Sequence, residues 1–201
     1  FSPDGSRIAF RRYDRPGSPS RLVLMDADGR NQRAITAPDM DATNQAWSPS
    51  GRLIAFQAVR GGQLDVYVYD TASGQTRQLT DSAIPDYAPT WLCGDDIVVF
   101  TSDASGSPDI YEAPALPLDA PAVDVETEAE RLTFEPANDI YPQNMPPKEF
   151  ASREGQTSSG VFGLQTEFLL PDSGVTPPDL TRDDGDADDW RAINACPAPG
   201  E

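Results

Sequence analysis

Trp47-Ser48-Pro49-Ser50-Gly51-Arg52-Leu53-Ile54-Ala55-Phe56 carries the architecture of this chain, because it restates Phe1-Ser2-Pro3-Asp4-Gly5-Ser6-Arg7-Ile8-Ala9-Phe10. Trp91 followed by Val98-Val99-Phe100 is a third occurrence. Further along each unit, Leu22-Val23-Leu24-Met25-Asp26 returns as Val66-Tyr67-Val68-Tyr69-Asp70. Each is followed by a glycine and a closing Ala34-Ile35-Thr36 or Gln78-Leu79-Thr80. Asp26 to Asp70 and Thr36 to Thr80 both span 44 residues. A periodic run of short strands with turn residues at fixed offsets predicts a radial or stacked all-β fold, in which no single unit buries its apolar face alone.

Working outward, the units fall at 1–40, 41–85, 86–138 and 139–185, with a fifth begun at 186–201. The first lacks the strand that should precede Phe1. Its strands are expected at 7–11, 21–25 and 32–36, with a loop at Pro16 to Pro19, where two prolines and a glycine exclude a central strand. In the second unit Val66 and Val68 point one way and Tyr67 and Tyr69 the other. Both faces are apolar, so this strand is expected between two neighbouring sheets. The third unit replaces the serine-proline turn with Leu92-Cys93-Gly94-Asp95-Asp96 and carries strands at 97–102 and 109–112. Its Arg131-Leu132-Thr133 arrives 53 residues after Thr80, because Pro114 to Glu128 is inserted, read as a surface excursion. No stretch holds a 3.6-residue apolar rhythm long enough for a helix, and the 15 Gly and 20 Pro punctuate the strands as turns.

With 15 Lys plus Arg against 33 Asp plus Glu, the formal charge of −18 repels phosphate backbones and anionic bilayers, which removes nucleic acid as a partner. No run of eighteen apolar residues supports membrane insertion. The chain opens inside a repeat, so any targeting segment is expected to lie outside this sequence.

An aromatic residue with Ser-Pro-Asp-Gly, an Ile-Ala-Phe strand, an aspartate closing a Val-Tyr-Val-Tyr strand and a terminal Leu-Thr together resemble the WD40-like propeller repeat of the TolB type, over most of residues 1–183. The resemblance implies an all-β fold: a β-propeller of four-stranded antiparallel blades. About four blades plus a fragment make an incomplete ring or part of a larger propeller. It also implies an exported, periplasmic or extracellular scaffold, noncatalytic, that binds a protein or a cell-envelope component. The alternative is an accessory or gating propeller of a larger hydrolase, such as a prolyl-oligopeptidase-like peptidase.

The residues themselves bear this out in part. The chain has no histidine, so Ser-His-Asp and Cys-His nucleophilic arrangements and the common zinc sites are excluded. Pro3, Gly5, Pro49 and Gly51 read as turn formers, and Trp47 and Trp91 as wedges between blades. The contact surface is expected around Pro16, Tyr87 and the insertion at Pro114 and Pro117, on loops at one rim. No cofactor is expected. Calcium alone has a candidate site, Asp184, Asp186 and Asp188 in Asp183-Asp184-Gly185-Asp186-Ala187-Asp188-Asp189, whose alternate oxygens would suit a hard cation. The other reading is a solvated acidic connector. Cys93 and Cys196 are the only cysteines; the count allows one bridge between them in an oxidising compartment, and two free buried thiols are the alternative. Equivalent positions in different blades lie too far apart for an intrachain bridge unless the C-terminal segment folds back, whereas a bond between two chains of a homo-oligomer avoids that demand.

Overall fold

Eleven strands and no helix make up the described residues of the computed structural model, which are 1–92, 94–134, 139, 140 and 142. Cys93 and Cys196, the carboxylates Asp184, Asp186 and Asp188, and almost all of the fourth and fifth units lie outside them. The strands form three antiparallel sheets in chain order. The first holds β1 (Arg7–Tyr13), β2 (Ser20–Asp26) and β3 (Arg33–Ala34). The second holds β4 (Asp41–Trp47), β5 (Leu53–Arg60), β6 (Gln63–Asp70) and β7 (Thr76–Gln78). The third holds β8 (Asp86–Trp91), β9 (Ile97–Ser102), β10 (Asp109–Pro114) and β11 (Glu130–Arg131). Each sheet is a meander in which consecutive strands are neighbours, the plan of a propeller blade, and the described residues do not close a ring.

The local chemistry repeats with the sequence. Ser2 and Ser48 each donate an amide to the carbonyl five residues on and accept the returning amide on Oγ, at 2.9 Å from Arg7 and 3.0 Å from Leu53. Gly5 and Gly51 then sit at φ of 72° and 73°, a conformation that side chains with a Cβ resist. The closing threonine has an equally regular task. Thr36, Thr80 and Thr133 accept on Oγ1 the amides of Leu22, Val66 and Ile110 at 3.0–3.1 Å, tying the last segment of each blade to its third strand or, in the three-stranded first sheet, to β2.

Packing follows the two-sided apolar pattern of β6. Val66 and Val68 join Leu53, Ala55, Trp91, Val98 and Phe100 in one buried cluster, while Tyr67 and Tyr69 join Leu22, Leu24, Ile54 and Phe56 in another. The second blade is therefore sandwiched between the first and third. Phe56 stacks on Tyr67 at 5.6 Å and Phe100 on Tyr111 at 6.3 Å, the same pair in successive blades. Burial of so many large side chains, each worth about 1.5–3 kcal/mol, holds the stack together.

The insertion at 114–128 departs from its reading as a surface excursion. Ala115, Val123 and Val125 are buried in the cluster between the second and third blades, and Val123 makes a parallel bridge to Thr80. Its amide donates to Leu79 O at 2.7 Å and its carbonyl accepts from Asp81 N at 3.0 Å. Arg77, 4% exposed, clamps the segment by donating to the carbonyls of Pro114 at 2.7 Å and Pro121 at 2.9 Å. Burial lowers the pKa of Arg77. The segment belongs to the third blade in sequence and packs as an extra edge on the second.

Candidate functional site

Antiparallel alternation divides the connections between two rims. The upper rim carries the loops at 14–19, 61–62 and 103–108 together with the blade-to-blade connections at 35–40 and 79–85. The lower rim carries the turns at 2–6, 27–32, 48–52, 71–75 and 92–96 and the two ends of the excursion at 115–129, whose Val123 reaches the 79–85 connection. Pro16 is exposed on the upper rim, and Tyr87, half-buried at the start of β8, donates its hydroxyl to Asp103 there at 3.2 Å. Pro114 and Pro117 are exposed at the opposite end. The four residues expected on one rim thus lie on two.

Pro3 and Pro49 are exposed in the lower turns, and the two turns touch: Arg7 Nη2 donates to Gly51 O at 2.8 Å. Asp4 is held near 2 by the Ser2 hydroxyl and by the amide and hydroxyl of Ser6. In the next turn Ser50 bonds Asp95 of the third blade through both its amide and its hydroxyl. Although burial raises Asp70, the Arg52 guanidinium at 2.9 Å and the Ala72 and Ser73 amides hold its pKa below the ordinary value.

Trp47 and Trp91 occupy successive blade seams. Trp91 is 1% exposed and donates Nε1 to Ala46 O of β4 at 3.0 Å. Trp47 is half-buried under the Arg7 guanidinium, 5.1 Å from its ring centroid, and its Nε1 finds no acceptor. Both inner strands bulge at the same place, with Asn44 and Ala88 at φ of 49° and 53°. Gln57 Oε1 links the bulges, accepting from Asn44 Nδ2 at 3.0 Å and from Ala88 N at 2.7 Å.

The upper rim holds the unusual electrostatics. In the first blade Arg12 and Arg21 pair with Asp14 and Arg11 with Asp41, and Tyr13, 53% exposed, stacks under Arg11 at 4.7 Å. The Ser20 hydroxyl and amide hold Asp41 below the ordinary carboxylate range. Where the second blade passes to the third, the arrangement reverses. Asp65 and Asp86 are 2% and 0% exposed, and each has an Oδ1 with no hydrogen-bond partner. Burial first, then the charges of Asp86 and Asp81, push Asp65 up to about 7. Burial also raises Asp86, opposed by the hydroxyls of Ser102, Thr80 and Ser82. Ser82 stands between the two: its amide serves Asp65, and its hydroxyl donates to Asp86 Oδ2 at 3.0 Å. The only sequence trace of this seam is Gln78 where the next closing motif has Arg131.

Among the described residues, no three carboxylate, histidine or cysteine side chains gather in a metal-binding group, and no helix is long and apolar enough to cross a membrane.

The profile of the TolB beta propeller domain family matches residues 1–153. The Tol-Pal system protein TolB of Gluconobacter oxydans is 33% identical over 108 residues, covering 53% of this chain and 24% of that protein. An uncharacterized peptidase of Bacillus subtilis, YuxL, is 28% identical over 112 residues, covering 53% of this chain and 17% of its own length. Among solved structures, one assigned as TolB from Agrobacterium tumefaciens superposes with a TM-score of 0.59 at 24% identity, over 71% of this chain and 47% of that one. The chain therefore spans a quarter or less of the curated relatives it matches.

Proposed function

The chain belongs to the TolB β-propeller domain family, and from that premise we propose that it serves as a noncatalytic scaffold of the cell envelope, exported to the periplasm or cell exterior, that docks another protein. The observation that carries the reading is the upper rim of the first blade. Tyr13, exposed at the strand tip, lies under the Arg11 guanidinium, Arg12 and Arg15 are close in sequence, and Pro16 stiffens the adjoining loop. A rigid aromatic flanked by arginines is the composition of an interface hot spot. In a chain of formal charge −18, this local cationic rim favours an acidic partner surface.

The test is capture from an envelope or extracellular fraction with tagged protein, comparing Tyr13→Ala with Arg15→Glu on the upper rim and Pro117→Ala on the lower. Loss of a captured protein with the first two and retention with the third supports the reading. Capture indifferent to Tyr13 and Arg15, or turnover of a substrate by the pure protein, overturns it.

A second reading, a propeller accessory to a hydrolase, is favoured by the match to YuxL. A peptidase domain in the same open reading frame would establish it in place of the first.

A further inference from the structure

Asp109 and Asp65 hold the same position in the third and second blades, one residue before the amide that the closing threonine accepts. Asp109 is fully buried and meets Arg131 Nη2 at 2.9 Å, with Ser105 and Thr133 hydroxyls on its oxygens. In the second blade the residue matching Arg131 is Gln78, a neutral amide that shares its Nε2 between Asp65 Oδ2 at 3.2 Å and Thr80 O at 3.0 Å, and the Ser82 amide is the other donor to Asp65. Asp65 Oδ1 is left bare inside the protein, and so is Oδ1 of Asp86, whose Oδ2 accepts from the Ser82 hydroxyl. Asp81 and Asp103 add negative charge from the connection and from the β9–β10 loop. The nearby cation, Arg60, is committed to Asp39 at 3.0 Å on the exposed rim. A buried carboxylate without a counter-charge is costly, and two side by side more so, which is why such groups are paired or coordinate metals.

We propose that Asp65 and Asp86 take up a hard cation, calcium by ligand chemistry, at the joint between the second and third blades, in the place that Arg131 fills for Asp109. Two carboxylate oxygens give the charge, and the hydroxyl and carbonyl oxygens of the 80–84 connection complete an all-oxygen set of the kind calcium accepts. Ser82 Oγ already lies within 3.0 Å of Asp86 and 2.8 Å of Ile84 O.

The full chain, treated with chelator and held at pH 8, is titrated with calcium chloride while its melting temperature is followed. Magnesium chloride and sodium chloride at equal ionic strength run in parallel. Saturable binding at a hundredfold excess over Kd should raise Tm by roughly 5–10 °C. The shift should shrink at pH 5, where protons compete for Asp65. Asp65→Asn and Asp86→Asn should each abolish it. Gln78→Arg, which copies the third blade, should abolish it while leaving the calcium-free protein at least as stable as the parent, so loss of response is separated from loss of folding. No saturable shift in the parent at pH 8 overturns the proposal, as does a shift that survives both Asp65→Asn and Gln78→Arg.

Discussion

In the third blade the buried Asp109 is answered by Arg131 at 2.9 Å, whereas in the second the matching Asp65 has the amide of Gln78 at 3.2 Å and a bare second oxygen. The seams flanking the second blade differ in the same way. Trp91 is buried and bonded to Ala46 O, while Trp47 is half-buried with an idle Nε1. One blade plan thus tolerates two settlements of its polar groups. The apolar stack fixes the strands, and the buried polar positions vary as long as water, a cation or a proton can meet them.

The largest expected effect tests the seams. Trp91→Ala removes a fully buried indole and should cost about 3–5 kcal/mol, against about 2 kcal/mol for Trp47→Ala at the less buried seam. Urea unfolding of both variants measures the pair, and equal losses would erase the distinction between the seams.

Arg131→Gln rebuilds the second blade's arrangement in the third. Leaving Asp109 buried without its guanidinium should cost about 3 kcal/mol. If denaturant unfolding shows less than a few tenths, the contrast between Asp109 and Asp65 carries no energetic weight.

The third prediction concerns acidity. Burial holds the folded pKa of Asp65 up at about 7, well above the ordinary carboxylate range, so the native state binds its proton more tightly than the unfolded chain. Its contribution is fully present below about pH 4 and is lost as pH rises through about 7, a loss on the order of 2 kcal/mol without divalent ions. Asp41 and Asp70, whose pKa values are lowered, act with the opposite sign: their contribution is present above about pH 4 and lost on acidification. The diagnostic is therefore the difference between the parent and Asp65→Asn across pH 4–8. A flat difference profile would remove Asp65 from the account.

The smallest effect separates two turns of like backbone. Gly5→Ala and Gly51→Ala both place a Cβ at positive φ, but at Gly5 nothing lies within 4 Å, while at Gly51 the new atom meets Pro3 Cδ at 3.3 Å. About 1 kcal/mol is expected for the first and about 1.5–2 kcal/mol for the second. Thermal unfolding of the two variants resolves the difference, and equal losses would show that the contact between the turns yields freely.

Much of the fold was legible because its signals are local. The β6 alternation of Val66, Val68, Tyr67 and Tyr69 announced a strand covered on both sides, and the packed clusters divide on that alternation. The recurrence of Ser-Pro and Leu-Thr marked positions whose hydroxyls accept returning amides. The insertion was misread because Ala115, Val123 and Val125 are scattered among prolines with no period, and their burial depends on a neighbouring blade. The Asp65 and Asp86 seam was invisible for a related reason. The residues stand 21 positions apart, each in an ordinary strand context, and only folding brings them to either side of Ser82. Placement of the expected contact residues on one rim failed on parity: Pro16 precedes a strand running down and Pro114 ends one.

The backbone bridge between Thr80 and Val123 governs how the molecule can come apart. In a linear array of repeats, unfolding spreads one unit at a time, because each touches its neighbours only through a side-chain interface. Residues 115–125 are threaded onto the second blade while belonging in sequence to the third, so neither blade opens without the other releasing main-chain hydrogen bonds. The first blade, joined to the second among the described residues by hydrogen bonds and ion pairs that each use a side chain, of Arg7, Arg11, Ser20, Arg33, Asp41 and Gln45, has no such main-chain clasp. Among the described residues the second and third blades therefore behave as one cooperative block, and the first can part from the second without breaking a main-chain clasp.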